Sequence, residues 1–176
     1  MRPLVRSSYD PKEVTFLLSD LSDVALELDT ATRERAIQSG RNYAEMLPVE
    51  YAPPPEYLAL FEALVTTSAR RTAELVGLVC EQLLDAYGPE LTLVSLARAG
   101  TPVGILMRRW FARQHALEVP HFSVSIVRGI GIDTVALDHI TARHDPDSVV
   151  FVDGWTGKGA IVTELRNAVA DLAVGA

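Results

Sequence analysis

The stretch SVVFVDGWTGKGA, residues 148–160, decides the fold. An apolar, β-branched run leads into Asp153, then glycines at 154, 157 and 159, and an apolar-periodic segment begins near Ile161. Strand, acid, glycine-rich loop and helix in that order form a cradle for an anion. Glycines let the backbone approach and turn N–H groups inward, and the helix start adds roughly half a positive charge. Thr156 offers a hydroxyl. The chain has only two lysines, Lys12 and Lys158, against fourteen arginines, so Lys158 between Gly157 and Gly159 is read as functional rather than as decoration on a solvated turn. A nucleoside-triphosphate P-loop fails on spacing, because Val152 stands where glycine is needed and Gly159 where Ser or Thr must follow the lysine.

Upstream, LTLVSLA (91–97) and VPHFSVSIV (119–127) are similar apolar runs, separated by segments long enough for crossover helices at about 102–116 and 134–144. Alternating strands and helices predict an α/β fold around a parallel sheet, with ligands held outside the carboxyl ends of the strands. The loop Arg98-Ala99-Gly100-Thr101, before a helix expected to begin at Pro102, offers a second anion site there, or Arg98 merely caps a neighbouring helix.

Residues 1–88 read differently, as a helical N-terminal segment packed on the 89–176 core within one folding unit. Asp10, Pro11 and Glu13 have the chemistry of a helix start, Gly40 ends a second helix after Thr32, and Pro53-Pro54-Pro55 breaks the chain. From Glu56 to Tyr87 apolar residues recur at helical spacing, which predicts one long helix burying its stripe and ending at Gly88-Pro89. A formal charge of −7 provides no global field for nucleic acid or anionic membrane, so anion binding must be local. With no apolar run of membrane-span or signal length and one cysteine, Cys80, the expected address is the cytoplasm.

The segment 148–160 resembles the loop by which type I phosphoribosyltransferases hold the ribose and 5-phosphate of phosphoribosyl pyrophosphate, and LTLVSLARAGTP (91–102) is similar to their pyrophosphate loop. More narrowly, QSGRNYAEMLPVEYAPPPEYLALF (38–61), SLARAGTPVGILMRR and VDGWTGKGA resemble the StiP family of tellurite and stress resistance, described as phosphoribosyltransferase-like and also labelled a cysteine protease. The resemblance implies a type I phosphoribosyltransferase (Rossmann-like) sheet, truncated at the C-terminus, and transfer of a phosphoribosyl group with Mg2+ carried by the substrate. Asp153 and Arg98 are then the catalytic candidates. Ala99, Gly100 and Thr101 would hold pyrophosphate, Thr156, Gly157, Lys158, Gly159 and Ala160 the 5-phosphate, and Arg128 with Gly129 a lid loop. The sequence departs from the pattern where Gly154 replaces a second acid and where Trp155 intrudes.

Two functions follow as expectations. One is the transferase; the other is a catalytically silent sensor of a nucleotide-like ligand. The expected partners are a phosphorylated ribose, a second copy of the chain, or proteins encoded beside it. For the protease label, Cys80 lies on the apolar stripe of a helix, where a cysteine acts as a small hydrophobe. His115, His121, His139 and His144 are distant from it in sequence and lack metal-site spacing.

Overall fold

A computed structural model describes residues 7–155, 157 and 159–174. The chain divides into two units, one of residues 20–70 and one that joins the preceding residues to 71–174. In chain order the elements are β1 (Thr15–Phe16), β2 (Glu27–Leu28), α1 (Thr30–Gln38), β3 (Leu47–Pro48), α2 (Pro55–Tyr87), β4 (Thr92–Leu96) and α3 (Gly100–His115). They continue as β5 (His121–Val124), β6 (Ile126–Val127), β7 (Gly131–Ile132), α4 (Thr134–Thr141), β8 (Val149–Val152) and α5 (Ala160–Val174). No helix among the described residues is long and apolar enough to cross a membrane.

The expected parallel sheet forms in the larger unit, in the order β1-β5-β4-β8 with every pairing parallel. Its centre is β4, buried at all five positions. Side chains alternate across a strand, and β4 and its flanks show it. Leu91 and Leu93 pack with Cys80, Met107 and Phe111, whereas Val94 and Leu96 pack with Val124, Leu137 and Ile140. One face is thus covered by α2 and α3, the other by α4, with Ile161 and Leu165 of α5 packed against it.

Several expectations are corrected. Asp10 starts no helix; its carboxylate accepts from Lys12 N at 2.9 Å and its carbonyl from Glu13 N at 2.8 Å, closing a turn. The same short-range chemistry serves a cap and a turn, and here the next residues leave as β1, too short to show in the apolar pattern. The run 119–127 is not one strand: parallel pairing ends at Val124, and β6 then pairs antiparallel with β7. Helix α3 begins at Gly100 rather than Pro102. Helix α2 runs as expected, but only its C-terminal half buries an apolar face, through Gly77 and Cys80, while Tyr57, Phe61 and Leu64 stand open.

The smaller unit is built locally. Asp29 caps α1 by accepting from Thr32 N at 3.0 Å, and Gly40 follows the helix at φ +94°, a left-handed turn open to glycine. Strands β2 and β3 pair in parallel beside it.

Candidate functional site

Strand order places a crevice. After β4 the chain leaves as α3 on one face of the sheet, and after the adjacent β8 it leaves as α5, which packs on the other. Neighbouring strands with connections to opposite faces open a gap beyond their carboxyl ends. A cavity of about 190 Å³ lies there, lined by Leu96, Phe151, Asp153, Ile161, Val162 and Leu165.

The two expected loops meet at this gap. Gly100 approaches β8 so closely that a Cβ there would overlap the Val152 carbonyl oxygen, and a Cβ at Gly154 would come within 2.7 Å of Ala99 O. Glycine at both positions is what lets backbone pack on backbone. Arg98 sits at the turn with φ +73°, exposed, while Thr101 is buried and its hydroxyl lies 2.9 Å from Ser123 Oγ. Thr101 is therefore a tie between α3 and β5. Asp153 follows β8, and its Oδ2 is buried with no hydrogen-bond partner among the described residues. Gly159, at φ +71°, and Ala160 lead into α5, Gly157 is exposed in the loop, and Trp155 stands 79% exposed beside it. Thr156 and Lys158 lie outside the described residues.

Arg128 and Gly129 are not brought to the cavity's lining. They lie in the β6–β7 hairpin, where Gly129 N donates to Glu164 of α5 at 2.9 Å. Among the described residues no three His, Cys, Asp or Glu side chains come together as a metal-ion site; Asp153 is a single carboxylate in its loop.

A buried polar cluster on the α3 face escaped the sequence reading. His121 Nδ1 lies 2.9 Å from Glu13 O, a carbonyl that can only accept, so this nitrogen carries the proton. Its Nε2 is then an acceptor, and the single proton of the Ser95 hydroxyl is shared between Nε2 at 2.8 Å and Gly100 O at 3.0 Å. Ser95 is fully buried, so this hydroxyl–imidazole pair has the spacing of a nucleophile and base but no access. It is a clamp between β4, β5 and the site loop. The signal in the sequence was the pair of hydroxyl residues, Thr92 and Ser95, inside a short buried strand.

Burial pushes the His121 pKa down, Arg108 adds to the effect, and the bond to Glu13 O opposes it. A histidine depressed in the folded state contributes stability that is whole above the unfolded value near 6.5 and is lost as pH falls through the folded value. Melting temperature is therefore expected to drop as pH is lowered from 8 to 5. His121→Gln should flatten that part of the profile relative to the parent; an unchanged profile contradicts the assignment.

Cys80 has the opposite of a reactive setting. It is fully buried, its Sγ–H points to Met107 O at 3.9 Å, and burial, helped by the Glu81 charge, pushes the thiol up to about 12. A thiolate nucleophile needs the reverse shift and a nearby base. The adjacent Glu81 is bonded to His115 Nε2 at 2.8 Å and Trp110 Nε1 at 2.7 Å, and these bonds hold its carboxyl below the ordinary range.

Comparison with known proteins adds the following. Residues 7–175 match the family model described as "Tellurite-like stress resistance cysteine protease StiP". The chain is 40% identical over 170 residues to "Cysteine protease StiP" of Acinetobacter baylyi, a match that covers 93% of this chain and 42% of that relative. No solved structure matches the chain. The architecture therefore stands as an α/β fold with a four-stranded parallel sheet, without the finer type I assignment. Both names state a cysteine protease and overturn the phosphoribosyltransferase expectation: the transferase class, the phosphoribosyl pyrophosphate ligand and the sensor alternative all fall. The physical reason is that a glycine-rich strand-end crevice fixes where a ligand sits and not which reaction is performed.

Proposed function

We propose a hydrolase function for this chain, which belongs to the StiP family: a stress-resistance peptidase whose substrate is held beyond the carboxyl ends of β4 and β8 and whose attacking group is not Cys80. The observation that carries the location is Asp153 Oδ2, a buried acceptor without a partner among the described residues, on the rim of a cavity. A buried carboxylate oxygen is stabilised by a donor, and a peptide brings one in its backbone N–H or terminal ammonium. Arg98, exposed on the facing loop, complements a substrate carboxylate, and the open ring of Trp155 offers an apolar surface.

Cys80 as nucleophile is the second reading, favoured because it is the one cysteine in the sequence. It requires α2 to lift from Met107 and Phe111 of the core before the thiol meets solvent. Hydrolysis of a fluorogenic peptide library separates the two. Asp153→Asn is expected to lower kcat/KM by about ten- to a hundredfold, the value of one charged hydrogen bond. Cys80→Ala should keep kcat/KM within about threefold while melting a few degrees lower, since it empties a buried site. Loss of hydrolysis in a folded Cys80→Ala variant selects the second reading. A parent chain that cleaves no peptide removes both.

A further inference from the structure

The cavity beyond β4 and β8 combines apolar walls with one acid. Of its six lining residues, Leu96, Phe151, Ile161, Val162 and Leu165 are aliphatic or aromatic, and the sixth is Asp153. All six belong to the larger unit. Leu96 is buried and shares a core cluster with Phe151, Ile161 and Leu165, so the sheet and the first turns of α5 fix the walls. Against those walls Asp153 Oδ2 is buried and has no hydrogen-bond partner among the described residues.

Size and chemistry together narrow what the cavity can take. Its volume of about 190 Å³ lies below the roughly 300–1,000 Å³ of a pocket for a whole cofactor or drug-sized ligand, so it suits a single side chain or chain end. A carboxylate oxygen only accepts, which excludes an anion beside it. A buried water is held by two to four polar partners, and no other side chain in the lining offers one. A neutral amide N–H would satisfy the oxygen but leave a charge among apolar walls. A cationic donor satisfies the bond and neutralises the charge.

We infer that this cavity is a pocket for an ammonium group carried on an apolar carbon framework, with Asp153 Oδ2 accepting from the ammonium and Leu96, Phe151, Val162 and Leu165 enclosing the carbons. A peptide supplies that chemistry in two places, a free N-terminus bearing an apolar side chain and a lysine side chain. The inference rests on the peptide-substrate reading above and narrows it to peptides that present such a group.

The test is calorimetric titration of the purified chain with four probes, beside the peptide-hydrolysis assay. Leucinamide carries an ammonium and an apolar side chain, N-acetyl-leucinamide only the side chain and glycinamide only the ammonium. Nα-acetyl-lysinamide carries its ammonium on an aliphatic stem. Leucinamide, acetyl-lysinamide or both should bind at least ~10-fold more tightly than acetyl-leucinamide and glycinamide, the value of a charged hydrogen bond or a buried side chain. Which of the two binds identifies the source as a chain end or a lysine. Asp153→Asn should bring the preferred amine to within about threefold of acetyl-leucinamide, and Val162→Phe, which fills the cavity with Asp153 intact, should weaken it at least ~10-fold. A parent that binds neither amine more tightly than acetyl-leucinamide overturns the inference, whether or not either variant folds. A preference that persists in folded Asp153→Asn also overturns it. Selective binding without hydrolysis of any peptide removes the peptidase reading and keeps the pocket, whereas hydrolysis without the amine preference does the reverse.

Discussion

Gly100→Ala is expected to lower the melting temperature by roughly 6–12 °C and to abolish the strand-end site. An added Cβ would overlap the carbonyl oxygen of Val152, a backbone atom in β8 that cannot rotate away as a side-chain tip would. Either α3 shifts off β4 or β8 moves outward, and both disturb β4, whose five residues are all buried. Overpacking of this kind costs about 3 kcal/mol, and each kcal/mol corresponds to ~2–4 °C in a chain of this size. The control is Gly157→Ala, where a Cβ meets nothing within 4 Å and φ is not left-handed; it should melt within about 2 °C of the parent. Equal melting of Gly100→Ala and the parent would show that the two loops do not pack as described.

Gly104→Ala is expected to destabilise by a similar amount for a different reason. Its Cβ would overlap both His121 Nε2 and Ser95 Oγ, two atoms already held by their bond to each other. To make room the bond must open, which leaves the buried His121 Nε2 without a partner, while Ser95 Oγ keeps Gly100 O and His121 Nδ1 keeps Glu13 O. One such orphan costs about 1–3 kcal/mol, to which the overpacking adds. A double-mutant cycle checks the cause: Ser95→Ala removes one of the overlapping atoms, so Ser95→Ala with Gly104→Ala should be destabilised by clearly less than the sum of the two. Simple additivity would place the damage elsewhere in α3. Chemical denaturation at pH 8, where His121 is neutral, gives the required free energies.

The sequence carried the sheet through its apolar runs, because a strand buried on both faces reads as a mainly hydrophobic stretch and β4, with Leu93, Val94 and Leu96 beside two small hydroxyl residues, is such a strand. It also placed Cys80 as a buried hydrophobe, which holds because the C-terminal half of α2 is the part packed on the sheet. What it missed depends on contacts between distant residues. Strand β1 is two residues long and held by β5, with Glu13 ion-paired to Arg109, ninety-six positions away. The Ser95–His121 clamp likewise joins residues twenty-six apart. Asp10 was misread because capping a helix and closing a turn use the same carboxylate geometry, and only the following backbone decides. The open face of α2 was counted as core because periodicity shows that a helix has an apolar side and not whether its own fold covers it. The glycine-containing loops at 98–101 and 153–160 stood out in the sequence, and the close backbone packing at Gly100 and Gly154 did not; the transferase chemistry attached to the loops came from resemblance and falls against the cysteine-protease names of the family and the relative.

The most direct measurement of where the chemistry resides is alkylation of the native chain by iodoacetamide, with mass and peptide hydrolysis followed in the same sample. A thiol pushed up to about 12 and closed off from solvent should remain unmodified for hours at pH 7.5, becoming labelled only when the chain is unfolded in guanidinium, and hydrolysis should continue at the untreated rate. Rapid single-site modification of the folded chain, with hydrolysis lost in step, would contradict the account and make Cys80 the nucleophile.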